Sequence, residues 1–250
     1  MTLADFQQGS DQLFWVKDNL LAANFPTVEK ALRDPDGLLA IGGDLSTQRL
    51  LQAYKNGIFP WYNEGQPIMW WSPDPRCVLV PNEIRISRSL KKRLLKNKFK
   101  ITYNTAFTDV LNACAASRKG VEDTWITNKI KSAYFSLFKL GYAHSVECWR
   151  DNKLVGGLYG LAMGKVFFGE SMFSRESDAS KTALVNLGQQ LDKMDFRLID
   201  CQVHSEHLQT LGAKPMQREL FIQILNNYCN DEKLIFPSSD LSVVNHSNNG

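Results

Sequence analysis

The 250-residue chain is poor in the groups that build metal centres and disulfide frames. Its five cysteines, Cys77, Cys114, Cys148, Cys201 and Cys229, are dispersed and form no CxxC pair. An odd, scattered set reads as reduced thiols, not as a disulfide framework or a zinc site. There are four histidines; His204 and His207 stand three apart but lack a third ligand, so no metal is expected. A large excess of one charge is missing too. The formal net charge is +3, too small to imply a polyanionic partner by itself. The longest apolar run, 154–168, is broken by glycines and by Lys165, and is too short to span a bilayer. The first residues, MTLADFQQGSDQLFW, show no basic segment followed by an apolar core, so no secretory leader is expected. These absences point to a soluble, cytoplasmic protein without membrane association.

What is present is an ordinary globular composition, 44% hydrophobic and 22% charged, with enough length to bury a full core. Residues 1–24 read as a weakly ordered lead-in. Turn chemistry follows at Asp34-Pro35-Asp36-Gly37 and Gly42-Gly43-Asp44. The spacing predicts a helix over Thr47–Asn56, capped by Ser46 and stopped by Gly57. From Cys77 the pattern gives a strand, a short helix within 84–100, a strand at ITYN, and helices over Phe107–Ser117 and Asn128–Leu140. A three-stranded meander is expected next: HSVECWR, KLVGGLYGLA and VFFGESMF, with a tight turn at Asp151-Asn152. Asp178 or Ser177 should cap a helix over Ala179–Met194, with Ala183, Leu184, Leu187 and Leu191 inward. A strand at Phe196–Val203, a short helix near Glu206–Leu211 and a last helix over Gln217–Tyr228 complete the pattern, and residues 238–250 read as disordered. This order predicts an α+β fold with an acyltransferase-like mixed sheet. The stretch before the long helix, SRESDASK, lacks the glycines that would hold a diphosphate, so coenzyme A is not the expected donor.

Four groups of residues could carry chemistry. In the strand LIDCQV, Asp200 and Gln202 alternate onto one face, roughly 6.5–7 Å apart at Cα. They are an outward pair on an edge strand, a buried pair tied to backbone groups, or a working pair. Glu170 stands among Phe167, Phe168 and Met172. It is either a solvent-side glutamate or an acid whose pKa is raised or which awaits a cationic ligand. Regular alternation would put Phe168, Glu170 and Met172 on one face, which favours a pocket or a bulge at Gly169. Between 84 and 100 lie Arg85, Arg88, Lys91, Lys92, Arg93, Lys96, Lys98 and Lys100 with no acid. That is a solvated helix face or a phosphate-binding patch. Trp61, Trp70, Trp71 and Trp125 are core residues or platforms for bases. Ser171 lacks the second glycine of a nucleophile elbow and is discounted.

The segments GLLAIGGDLS (37–46), GIFPWY (57–62), WWSPDPR (70–76), TWI (124–126), AHSVE (143–147), LVGGLYG (154–160), FFGESMFS (167–174), ASKTAL (179–184) and LIDCQV (198–203) occur in this order. Together they resemble the bacterial leucyl/phenylalanyl-tRNA–protein transferases over roughly residues 25–225. The resemblance implies a small N-terminal α+β domain, taken as 1–76, and a domain like the acetyltransferase superfamily, taken as 77–237. It implies transfer of Leu or Phe from charged tRNA to an N-terminal Arg or Lys of a protein, marking it for degradation through the N-end rule, with no metal or coenzyme. Expected partners are Leu-tRNA, Phe-tRNA and such proteins, and not DNA. Matching positions imply that Asp200 and Gln202 act in peptide-bond formation and that Glu170, with Asp200, meets the cationic acceptor. Phe167, Gly169, Met172, Leu184, Ile199 and Leu158 would form the donor side-chain pocket, and Trp61 and Trp125 would line the site for the terminal adenosine. Arg85, Arg88, Lys91, Lys92, Arg93 and Lys96 would hold the tRNA backbone. The glycines of 154–174 would leave room for a substrate against the sheet. The alternative is a tRNA-dependent transferase acting on a cell-wall precursor or small molecule. A non-catalytic RNA-binding module is a further rival, which the acids at 170 and 200 disfavour.

Overall fold

The computed structural model describes residues 13–17, 25–96, 98–116, 124–233 and 235. The expected tail 238–250 and most of the lead-in lie outside these residues. Two sheets organise the chain. The first combines β1 (Phe14–Val16), β2 (Leu38–Gly42), β3 (Phe59–Pro60) and β4 (Met69–Trp71) in the order β1-β2-β4-β3. The second has seven strands: β5 (Arg76–Leu79), β6 (Lys100–Tyr103), β7 (Ala143–Arg150), β8 (Lys153–Met163), β9 (Val166–Ser174), β10 (Leu198–Gln202) and β11 (Lys214–Met216). Their order is β11-β5-β10-β9-β8-β7-β6. All pairs in it are antiparallel except β9 with β10, so the sheet is mixed as expected.

Seven helices accompany the sheets among the described residues: α1 (Thr47–Lys55), α2 (Arg88–Leu94), α3 (Phe107–Ala115), α4 (Asn128–Lys139), α5 (Ala179–Lys193), α6 (Glu206–Gln209) and α7 (Arg218–Tyr228). None is long and apolar enough to cross a membrane. Their apolar stripes explain their placement. The expected α5 stripe of Ala183, Leu184, Leu187 and Leu191 is buried against one face of the seven-stranded sheet, together with Leu90 of α2. On the other face α1, α3, α4 and α7 contribute Leu50, Tyr54, Val110, Tyr134 and Phe221 to a core that also takes Leu39, Ala40 and Trp70 of the first sheet. The two sheets therefore share one core.

The meander turn at Asp151-Asn152 has φ of +49° and +58°, the left-handed geometry a two-residue hairpin demands. Several expectations fail. Part of the lead-in, Phe14–Val16, is a strand running parallel to β2, not a loose segment. Strands β2, β3, β4 and β11 are two to five residues long. Their flanking Pro and Gly residues masked them as turns. Ser46 and Asp178 hold the N-cap positions of α1 and α5, yet neither makes a side-chain capping bond. The Ser46 N–H instead donates to Asp44, and the Asp178 carboxylate pairs with Arg93.

Candidate active site

Two backbone irregularities create the site. Along β8 and β9 the partners run Leu161↔Phe168 and Gly160↔Gly169, then jump to Tyr159↔Ser171. Glu170 is the extra residue of a bulge. The jump resolves the odd alternation of this stretch: Phe167 and Met172 join the α5-side core, while Phe168 and Phe173 join the opposite one. Glu170 enters that opposite side, where α1 and α4 meet the sheet. In β10 the pairing with β5 jumps from Asp200↔Val78 to Gln202↔Cys77, so Cys201 is the extra residue. Gln202 takes φ of +65°. Simple two-residue alternation thus does not describe the Asp200/Gln202 pair; the bulge does.

Asp200 is completely buried and fixed by Arg76, which is equally buried. Arg76 Nε donates to Oδ1 at 2.8 Å and Nη2 to Oδ2 at 2.7 Å, while Nη1 donates to the Gly57 carbonyl at 3.1 Å. The rings of Phe59 and Phe221 each lie 4.7 Å from the guanidinium carbon. This planar clamp is what an arginine, not a lysine, can form. Asp200 Oδ1 also accepts from the Gln202 backbone N–H at 2.9 Å. The carboxylate therefore holds the bulge that aims Gln202.

Glu170 is held by three neutral donors. The Tyr54 hydroxyl lies 2.7 Å from Oε1, the Tyr134 hydroxyl 2.7 Å from Oε2, and Gln202 Nε2 donates to Oε1 at 2.9 Å. Burial drives its pKa up to about 7; the two tyrosine bonds oppose the rise, and the nearby Asp200 charge adds to it. Burial, then the Glu170 charge, push both tyrosines well above the usual phenol range. The Tyr159 hydroxyl is fully buried on the same face, also affected by Glu170.

The structure brings Glu170, Asp200 and Gln202 into one network. It places Phe167, Leu158, Leu184 and Ile199 together in the core on the α5 side, with Met172 packed against them. Between these two groups lies the split of the sheet. β9 and β10 pair only over 166–168 and 198–200, although both strands continue further. At this split a methyl group on Gly169 would meet, among the described residues, only the Asp200 carbonyl, at 3.4 Å. The other glycines of the stretch do not leave room for a ligand. A methyl on Gly156 would strike Ala179, on Gly157 the Val146 carbonyl, and on Gly160 the Phe168 carbonyl. Their space is filled by the protein itself.

Trp61 is exposed and its ring lies 5.8 Å from that of Trp71, whose Nε1 donates to the Trp61 carbonyl. Trp125 packs half-buried against the core. Tyr62 and Ile126, the chain neighbours of Trp61 and Trp125, are buried in the same core. Arg85, Arg88, Lys91, Lys92 and Lys96 are exposed on and around α2, which buries Leu90 alone. Arg93 is not a free cation: Asp178 and Ser177 hold its guanidinium, so the run does find an acid, from beyond its own sequence.

Sequence reasoning missed Arg76, Tyr54 and Tyr134 as members of the network. Arg76 closes the WWSPDPR segment, where it carried no assigned role. Tyr54 looked like one more apolar helix position. A signal was available, since a buried tyrosine needs a hydroxyl partner.

A mixed sheet parted beside two buried carboxylates, one clamped and one held by neutral donors, is the frame of an enzyme that positions reactants for group transfer. Comparison with known proteins specifies which. The family model described as leucyl/phenylalanyl-tRNA protein transferase matches residues 78–226, and that of its N-terminal domain matches residues 43–74. The leucyl/phenylalanyl-tRNA–protein transferase of Aromatoleum aromaticum is 57% identical over 208 residues, covering 83% of this chain and 88% of that one. That of Thiobacillus denitrificans is 58% identical over 200 residues, covering 80% and 88%. Among solved structures, a GCN5-related N-acetyltransferase from Kribbella flavida aligns with a TM-score of 0.36 at 11% identity, over 66% of this chain and 58% of that one. The chain belongs to the leucyl/phenylalanyl-tRNA protein transferase family.

Proposed function

We propose that this protein transfers a leucyl or phenylalanyl group from tRNA to the α-amine of a protein that begins with Arg or Lys. The relatives' names favour a protein acceptor over a cell-wall precursor. The observation that carries the reading is Glu170, a buried carboxyl whose partners among the described residues are neutral donors. A cationic side chain is the partner it lacks.

An aminoacyl ester is already activated, so the enzyme's main task is to hold two substrates in register. The donor side chain enters at the β9/β10 split beside Gly169. There it meets Phe167, Leu158, Leu184, Ile199 and Met172, a pocket that sorts by shape and discriminates by about 1–3 kcal/mol per methylene. The attacking amine must be neutral and must lose a proton as it adds. Both Asp200 oxygens face Arg76, so Asp200 is no free base. It acts as a positioning residue that fixes the Gln202 bulge. Gln202 donates through Nε2 to Glu170, leaving its amide oxygen for the amine. An amide hardly accepts a proton, so the proton passes to water or to a hydroxyl of the terminal ribose. Trp61 and Trp125 flank the terminal adenosine, and the exposed cations around α2 hold the acceptor-stem backbone without reading its sequence. The acceptor side is closed by the N-terminal part, 1–76, through Tyr54, and the transfer sheet lies within 77–237 except for Arg76, which opens β5. The product exposes a new N-terminal Leu or Phe, a degradation signal under the N-end rule, and charged tRNA places the reaction in the cytoplasm.

The test uses labelled Leu-tRNA or Phe-tRNA with proteins beginning with Arg, Lys or Ala. Wild type should transfer to the first two. Glu170→Gln should lose at least tenfold in kcat/KM for Arg and Lys acceptors alone. A uniform loss across all acceptors would remove Glu170 from the acceptor site.

A further inference from the structure

The oxygens around Glu170 close a ring. Tyr54 Oη meets Glu170 Oε1, Tyr134 Oη meets Oε2, and the two tyrosine oxygens are themselves hydrogen-bonded to each other. Each of these three contacts is attractive only if one hydrogen lies in it. The tyrosines supply two, since their raised pKa values keep both protonated. With Glu170 ionised, one contact would press two lone pairs together in a fully buried site. With Glu170 protonated, hydrogens can run one way round: carboxyl to one tyrosine, that tyrosine to the other, and the second tyrosine back to the free carboxyl oxygen. Gln202 Nε2 adds a fourth bond from outside the ring.

We propose that Tyr54 and Tyr134 hold Glu170 as a neutral carboxylic acid in the acceptor-free enzyme, and that the acceptor's cationic side chain replaces its proton. This rests on Glu170 being the acceptor site. Taken singly, the Tyr54, Tyr134 and Gln202 bonds favour the carboxylate; the contact between the two tyrosine oxygens, which needs a third hydrogen, turns the ring to the acid, and the charges on the packed elements favour it too. Tyr54 on α1, Tyr134 on α4 and Tyr159 on β8 are uncharged. On β10 the Asp200 charge disfavours a second carboxylate, and Arg76 on β5 is bound to Asp200. The upward displacement of the Glu170 pKa by burial agrees. When an Arg or Lys side chain enters, one O–H bond of Glu170 breaks, its proton leaves to solvent, and the resulting carboxylate pairs with the cation. The site then carries no net uncompensated charge before or after binding. That gives a selection for cationic residues in which a neutral side chain leaves the ring undisturbed.

Infrared difference spectroscopy and calorimetry test this at about pH 6, where an ordinary glutamate is ionised. Acceptor-free wild type should show the carbonyl stretch of a protonated carboxylic acid that Glu170→Gln lacks, and Tyr54→Phe with Tyr134→Phe should shift its frequency. Saturation with an Arg-initiated peptide should abolish the band, and an Ala-initiated peptide should not. Calorimetry in two buffers of different ionisation enthalpy should show more proton release from wild type than from Glu170→Gln. Release common to both belongs to the peptide α-amine. If acceptor-free wild type has no Glu170-dependent acid band, the ring is refuted whatever the acceptor does. If the band is present but survives saturating Arg-initiated peptide, the exchange is refuted, while the acceptor profile of Glu170→Gln still decides whether Glu170 is the acceptor site.

Discussion

On the α5 side of the central sheet, Leu158, Phe167, Leu184 and Ile199 bury one another as apolar side chains. On the other side Arg76 and Asp200 lie just as deep, and Glu170 is buried beside them. Apolar burial is non-directional and tolerates changes of shape that keep volume. Buried charge tolerates almost none, because every partner removed leaves a desolvated group. The acceptor side should therefore fail through unmatched polar groups and the donor side through lost or added volume.

The largest effect is expected from breaking the clamp. Arg76→Ala should destabilise by about 3–5 kcal/mol, since it leaves Asp200 buried without its counter-ion. Denaturant melts check this, and Asp200→Asn combined with Arg76→Ala should recover part of the loss by removing the stranded charge. Smaller, and specific to volume, is the contrast between two glycines. Gly160→Ala puts a methyl 2.1 Å from the Phe168 carbonyl oxygen and 2.6 Å from the edge of the Phe167 ring, at a cost of about 1–3 kcal/mol or more. Gly169→Ala meets only an ordinary contact. It should change stability by less than about 1 kcal/mol yet reduce transfer by filling the split. Equal stability losses at both positions would break the comparison.

Smaller again is a pH effect. Glu170 titrates near 7 in the folded protein, against an ordinary value of 4.5. Between these values the folded state keeps a proton that the unfolded chain has released. Stability therefore falls as pH rises through this window, by at most about 1.4 kcal/mol per pH unit. Glu170→Gln should flatten that slope in melts taken across the window. Transfer to Arg acceptors should move the other way, rising with pH towards 7 as the carboxylate becomes easier to form. The smallest structural effect belongs to the surface. Lys91→Ala with Lys92→Ala should leave stability within about 0.5 kcal/mol. It should weaken tRNA binding and reduce its salt slope by roughly 0.7–0.9 per lost phosphate contact. Arg93→Ala should act differently, since it also frees Asp178 at the start of α5.

Much of the fold was legible where periodicity is long. The 15-residue helix α5 and the meander β7-β8-β9 carry enough repeats for the pattern to exceed noise, and Asp151-Asn152 has the chemistry its turn requires. Strands of two or three residues such as β3, β4 and β11 hold too few repeats to show a period, and pairing with distant chain creates them. Of the site, the acids and the amide stood out because polar groups in apolar strands need partners. Their partners did not, because Tyr54 and Glu170 are 116 positions apart, and Arg76 and Asp200 are 124 apart.

The α+β class, the meander and its turn, the helix stripes and the three polar residues at 170, 200 and 202 are written in the residue order. These follow from local rules of period, turn chemistry and polarity. Long-range packing is what makes Glu170 and Cys201 the extra residues of bulges, gives both Asp200 oxygens to Arg76, and encloses Glu170 with two tyrosines. Register and partner choice depend on which strands and helices meet, and burial then sets the protonation that those meetings demand.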